Sequence, residues 1–287
     1  MLSVPLLNPF FPLSSSSSSS TVVEFPVAAA FRKSKHLTPS SLFLVRRLKA
    51  KVLHGQSAST EDQNFEGEEF QVLTAMRSDH NEIVIVDTPK SRILLLDSTQ
   101  NVHSISNRGE KWTGAYWDEF ASLPAIVPQG PIAILGLGGG TVAHLMLDLW
   151  PSLRLEGWEI DGILIDKARD YFGLSDLEKC TEVGGVLHVH VGDALSPSAT
   201  VPGGFSGIIV DLFSDGRVLP QLQEVSTWLE MNSRLMPHGR IMVNCGGNHA
   251  ETSIIKDGIT LPELSANDGA WVQNSTITAL CKAFPEI

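Results

Sequence analysis

"AILGLGGGTVAHL" runs from Ala133 to Leu145. An apolar stretch enters Gly136-Leu137-Gly138-Gly139-Gly140, and a periodic apolar stretch leaves it. The reading is strand, tight turn, helix. Glycines permit positive φ and place no Cβ between the backbone and an approaching group. A helix starting at Thr141 turns free N–H groups and a positive dipole end toward an anion. A GxGxxG dinucleotide fingerprint would need glycine at Thr141; GxGxG fits instead, through Gly136, Gly138 and Gly140. On its own the turn is also compatible with a strand–helix connection that binds nothing.

The surrounding chain extends the pattern. "IAILGL" is followed by "TVAHLMLDLW", "LRLEGWEI" by "DGILIDKARDYF", and then come "VLHVHVGD", "FSGIIVDLF", "LPQLQEVSTWLEMNSRLM", "GRIMVNCGG" and "NSTITALCKAF". Strands alternating with helices predict an α/β fold with a parallel sheet and a ligand crevice at the carboxyl ends of its strands. Three acids end successive strands. Glu159 lies 19 residues past Gly140, where a carboxylate can accept both hydroxyls of a ribose. Asp193, in "HVGDAL", can accept from an adenine amino group, and Asp211, in "IIVDLF", borders the crevice. Each acid alone could cap a helix; together they point to a nucleoside site.

Upstream, "FQVLTAM", "EIVIVD", "SRILLLD" and "NVHSI" alternate with turn signals between Phe70 and Ile105. They predict a small antiparallel β-domain. "AYWDEFASLPAIVP" (115–128) follows as a short linking helix closed by prolines. The first 60 residues are Ser-rich, with seven Lys/Arg and one acid. That composition is expected of a transit peptide into the chloroplast, with a mitochondrion as the alternative. The expected division is thus 1–60 transit peptide, 61–128 β-domain with its linking helix, and 129–287 nucleoside-binding domain. The net charge of −11 conceals a far more acidic body, which argues against nucleic acid or anionic membrane as a partner. The three cysteines form no CxxC pair, so neither zinc nor a disulfide framework is indicated.

These residues together resemble the polyamine (spermidine/spermine) synthase-like proteins of the class I S-adenosylmethionine-dependent methyltransferase superfamily. The resemblance covers about 70 to 283. "FQVLTAMRS", including Gln71, resembles the first strand of that family's β-domain, and "AYWDEFASLP" its "AYQEMIAHLP" helix. "ILGLGGGTV" stands for "IIGGGDGGV"; "WEID", "VGDAL" and "IIVDLFSDGRVLPQL" match later motifs. The resemblance implies a Rossmann-like methyltransferase sheet behind a small N-terminal antiparallel β-domain. It implies that Gln71, Gly136, Gly138, Gly140, Glu159, Asp193 and Ala194 hold S-adenosylmethionine or its decarboxylated form. It further implies that Asp211 takes the proton of the acceptor and that Tyr116 orients it, and that two copies can pair through the β-domain.

The departures from the family pattern shape the functional expectation. Gly139 stands where the synthases carry an acid that suits the amine of the decarboxylated cofactor. Intact S-adenosylmethionine has a carboxylate, which a helix N-terminus can receive. The family's Gln after Tyr116 is Trp117, and Ser214 aligns with its second acid, leaving Asp215 one place late. The expectation is methyl transfer to a small-molecule acceptor. Aminopropyl transfer in polyamine biosynthesis and a non-catalytic nucleoside-binding protein are the alternatives. The family fold also ends in a β-hairpin after the last helix; this sequence stops at "KAFPEI", so that hairpin is expected to be missing and the fifth strand to be an edge. His188 and His190 share one side of a strand, but no third ligand is evident, so the strand is read as buried on both faces and no metal is expected. Cys245 with "GNHAETS" lacks an orienting acid and is read as loop. Trp228 and Trp271 are read as core or lid residues.

Overall fold

In a computed structural model, side chains are described for residues 70–98, 101–246 and 274–285, and the backbone also for 253–256 and 259–262. The expected transit peptide, Trp271 and "NHAETS" lie outside the residues whose side chains are described.

Four short strands form an antiparallel meander: β1 (Gln71–Arg77), β2 (Glu82–Asp87), β3 (Ser91–Leu95) and β4 (Ser104–Asn107). Strand alternation sends Ile83, Ile85 and Leu94 to the face that packs on Leu164 and Phe172 of the larger sheet's helices. Val84, Val86, Ile93 and Leu95 occupy the opposite face. A linking helix, α1 (Tyr116–Phe120), and a 3-10 turn at Leu123–Ile126 follow.

The larger sheet contains β5 (Ile132–Leu135), β6 (Arg154–Glu159), β7 (Val186–Val191), β8 (Phe205–Val210) and β11 (Leu235–Val243). All are parallel, in the order β7-β6-β5-β8-β11. Counted along the chain this is 3-2-1-4-5, the doubly wound order, with the switch point beside β5. β5 and β8 are buried at every position, as central parallel strands require. Ile132, Ile134, Leu155 and Ile209 pack on one side with α2 (Thr141–Leu149) and α3 (Gly162–Phe172). Ala133, Leu135, Ile208 and Val210 pack on the other with α5 (Val225–Ser233) and α6 (Ser275–Ala283). Trp228 is fully buried there, its indole N–H bonded to the Leu222 carbonyl at 2.9 Å, so it is core. A short α4 (Leu174–Leu177) follows α3, and β9 (Phe213–Ser214) pairs with β10 (Arg217–Val218) just beyond β8.

Two expectations change. β7 is the edge strand, and His188 and His190 are half exposed rather than buried on both faces. Both rings engage Glu156 of β6, His188 Nδ1 at 3.1 Å and His190 Nε2 at 2.7 Å. At the other edge, β11 is the outermost strand of the sheet among the described residues. A hairpin, β12 (Ser253–Lys256) with β13 (Ile259–Pro262), lies between β11 and α6 and pairs with neither edge. Sequence reading did not anticipate it.

Candidate functional site

The glycine turn is built as expected, but its glycines serve the protein's own packing. Gly136, Gly138 and Gly140 all have positive φ, at 91°, 55° and 87°. A Cβ on Gly136 would lie 2.2 Å from the Asp211 carbonyl oxygen, so β5 and β8 close on one another only there. A Cβ on Gly139 would lie 2.9 Å from the Ser104 Cβ. Ser104 of β4 is buried, and its side chain fills the place where the synthase acid would stand.

The turn's amides are also engaged. Gly138 N–H donates to Glu159 Oε2 at 3.0 Å, Gly139 N–H to Ser104 Oγ at 2.8 Å, and Gly140 N–H to the Leu137 carbonyl at 2.9 Å. The loop amides are thus engaged within the protein, that of Gly139 by Ser104 of β4, and they are distinct from the first N–H groups of α2 that were expected to face an anion. Thr141 completes the docking, its hydroxyl accepting from Ile105 N–H and donating to the Ile105 carbonyl.

A cavity of about 220 Å³ opens at the carboxyl ends of β5, β6 and β8. Its wall contains seven of the expected residues, Tyr116, Gly136, Gly138, Glu159, Asp193, Ala194 and Asp211. Gly140 lies deeper, as the residue preceding α2. Gln71 is exposed at the start of β1 and is not part of this wall.

Glu159 is buried, and burial pushes its carboxyl above the usual range. Its oxygens accept from Gly138 N–H and Asp161 N–H. Ile160 N–H also favours its charged form, and a carboxylate has about four acceptor positions, so capacity remains for a ligand hydroxyl. Asp193 is exposed, with Oδ1 accepting from Leu195 N–H at 2.8 Å. Asp161 caps α3 through Ile163 N–H and Leu164 N–H, and it also accepts from Ser78 Oγ and Asn81 Nδ2. The β1–β2 turn is thus pinned to the end of β6, and it brings His80 and Asn81 to the cavity.

Asp211 is held from two sides. Tyr116 donates its hydroxyl to Oδ2 at 2.9 Å, and Asn244 Nδ2 donates to Oδ1 at 3.0 Å. Burial pushes the Asp211 carboxyl above the usual range. Burial and the neighbouring Asp211 charge push the Tyr116 phenol far up, so Tyr116 stays a donor. Trp117 is buried with its ring 4.6 Å from that of Tyr116, and its indole also helps to lower the Asp211 carboxyl. Ser214 reaches the cavity wall, whereas Asp215 is exposed in the β9–β10 turn with φ at 50°.

Sequence reading missed Asn244, His80, Asn81 and the pair of His103 with Asp97. Asn244 was detectable: it ends the fifth strand as Glu159, Asp193 and Asp211 end theirs. The others are brought to the cavity by the meander, whose docking no local pattern reveals. Among the described residues no group of His, Cys, Asp and Glu could hold a metal ion.

No protein-family model matches the chain. In sequence it is 25% identical over 166 residues to a probable polyamine aminopropyl transferase of Bifidobacterium longum, covering 58% of this chain and 35% of that protein. It is 27% identical over 135 residues to the eEF1A lysine and N-terminal methyltransferase of Homo sapiens, covering 42% and 18%. Trans-aconitate 2-methyltransferase of Streptomyces coelicolor is 32% identical over 101 residues, covering 35% and 30%. The chain therefore spans 35% or less of the length of each of these relatives. The crystal structure of spermidine synthase from Thermotoga maritima superposes with a TM-score of 0.44 at 18% identity, covering 57% of this chain and 54% of that one. In sequence the chain is similar both to polyamine aminopropyl transferases and to methyltransferases, the two groups whose motifs it resembles.

Proposed function

We propose that this chain is an S-adenosylmethionine-dependent methyltransferase with a polyamine-synthase-like fold, acting on a small-molecule acceptor in the plastid. One observation carries the reading: Asp211, held by Tyr116 and Asn244, shares a cavity wall with Glu159 and Gly138. The remaining acceptor capacity of Glu159 suits the ribose, and Asp193 beside Ala194 suits the adenine. The bound cofactor supplies an electrophilic methyl group on a sulfonium. The protein's part is to fix the nucleoside, orient the acceptor beside the hydrogen-bonded Tyr116–Asp211 pair, and remove its proton to Asp211. The acids around the cavity also suit a positively charged sulfonium.

Methyl rather than aminopropyl transfer is favoured by Gly139. The acid that would anchor a cofactor amine is replaced, and Ser104 fills its space. Aminopropyl transfer is the second reading, supported by similarity to the probable polyamine aminopropyl transferase over 166 residues. Calorimetry with S-adenosylmethionine and its decarboxylated form separates them. Tighter binding of the intact cofactor is expected; tighter binding of the decarboxylated form would make aminopropyl transfer the better reading. Binding with no transfer to amines, carboxylates or hydroxyls would leave a binding protein.

A further inference from the structure

The cavity has a chemical asymmetry. One end has Glu159, Asp193 and Ala194, which suit the nucleoside. Tyr116 and Asp211 form another part of the wall, toward which the amino-acid tail of the cofactor would run, while Gly138 stays with Glu159 through its N–H. That tail ends in a carboxylate. The amides of the glycine turn are already donated to Glu159, Ser104 and Leu137. No Lys or Arg is among the residues lining this cavity; the basic side chains there are His80 and His103. His80 is exposed in the turn that is pinned to Asp161, at the nucleoside end.

His103 stands at the tail end. Its carbonyl lies 3.6 Å from the position of a Cβ on Gly138. Its ring carries a charge interaction with Asp211. Its Nε2 is 3.1 Å from Oδ2 of Asp97, a carboxylate that is only 7% exposed. A buried carboxylate on one ring nitrogen fixes the orientation of the ring. Nδ1 is then left for another partner, and no hydrogen bond to it is made by a described residue.

We propose that His103, oriented by Asp97, binds the α-carboxylate of the S-adenosylmethionine tail and thereby selects the carboxylated cofactor over its decarboxylated form. The inference rests on the reading of the cavity as a nucleoside–sulfonium site. His103 is a binding residue here, and Asp97 is a positioning residue.

The test is calorimetry on the full chain with S-adenosylmethionine, S-adenosylhomocysteine, decarboxylated S-adenosylmethionine and methylthioadenosine, which has no tail carboxylate. His103→Ala is expected to weaken the first two ligands by about 10- to 100-fold, the range for a hydrogen bond to a charged group. Methylthioadenosine should bind the variant within about twofold of wild type, an effect small on that scale, and the decarboxylated cofactor should not be weakened. Asp97→Asn should lose part of the same discrimination and leave methylthioadenosine unaffected, which a merely structural role for Asp97 would not do. Methylthioadenosine binding shows that each variant is folded; if His103→Ala unfolds, His103→Gln takes its place. Unchanged affinity for S-adenosylmethionine, or equal weakening of all four ligands, overturns the proposal while the nucleoside site stands. Failure of wild type to bind any of the four removes the cavity reading itself, and the proposal with it.

Discussion

Tyr116 donates its hydroxyl to Asp211 Oδ2 at 2.9 Å, tying the linking helix to the end of β8 across 95 positions of the chain. The contact joins the smaller sheet's connection to the switch point of the larger one, where doubly wound folds bind ligands. Burial pushes the Asp211 carboxyl above its usual range, so the folded protein holds that proton more readily than the unfolded chain does. The ionised group therefore costs stability above the unfolded pKa. That cost disappears as pH falls through the raised folded value. Asp211→Asn is expected to melt a few degrees higher than wild type at pH 7, with the advantage gone by about pH 4, near the usual carboxylate value. Its turnover should fall by about 10²- to 10⁴-fold, the usual contribution of a general base, with cofactor binding retained. Unchanged turnover would show that another group takes the proton.

Gly136 is one of the two tightest glycine positions among the described residues. An alanine there would meet the Asp211 carbonyl oxygen at 2.2 Å with φ at 91°. Backbone strain and overpacking each cost about 1–3 kcal/mol. Gly136→Ala is expected to lose about 2–6 kcal/mol by denaturant unfolding on those figures. A wild-type midpoint in urea would mean that β5 and β8 are not closed as described.

Gly139 tests why the synthase acid is absent. Gly139→Asp would force its Cβ to 2.9 Å from Ser104 Cβ and 3.4 Å from the Phe172 ring. Overpacking of this kind costs about 1–3 kcal/mol. Ser104→Gly in the same chain removes the obstructing atoms and should recover much of that loss. The double variant should also gain affinity for the decarboxylated cofactor relative to Gly139→Asp alone. Equal stability of the single and double variants would show that Ser104 does not fill that space.

Glu156 illustrates how an edge strand is held. It is buried, which raises its carboxyl, but hydrogen bonds from His190, Arg154 and His188 outweigh burial and hold it below the usual range. A lowered folded pKa means stability that is present above the unfolded pKa and lost as pH falls through the folded one. Glu156→Gln should lose about 1–2 kcal/mol at pH 7, the value of one charge-assisted hydrogen bond after allowing for the half-exposed partners. Its deficit should shrink below about pH 4, where the wild-type carboxylate takes its proton. A deficit that persists at low pH would assign the loss to packing.

The strand–helix alternation of the larger sheet and the crevice acids were legible in sequence because each is a local pattern. β5 runs directly into its glycine turn, and Glu159, Asp193 and Asp211 each end a strand. What escaped is long-range. Ser104 reaches Gly139 across 35 positions, and Asn81 reaches Asp161 across 80. Nothing in either stretch predicts the partner. The same docking engages the Gly139 amide through Ser104. His188 and His190 misled for a related reason: alternation shows which side of a strand a residue faces, but only the strand order shows that β7 is an edge. Gln71, expected at the cofactor from resemblance alone, sits at an exposed strand start. The resemblance supplied a motif position but not this chain's docking of β1.

The most direct test of the account is binding of methylthioadenosine and S-adenosylmethionine to wild type and to Glu159→Gln, followed by calorimetry. Glu159 accepts from the glycine turn and from Asp161, and it retains acceptor positions that the account gives to the ribose. Both ligands should bind wild type, and Glu159→Gln should weaken both by about 10- to 100-fold through lost hydrogen bonds to a charged group. Equal affinity of both ligands for wild type and a folded Glu159→Gln, or no binding to wild type, would contradict a nucleoside site at the end of β6.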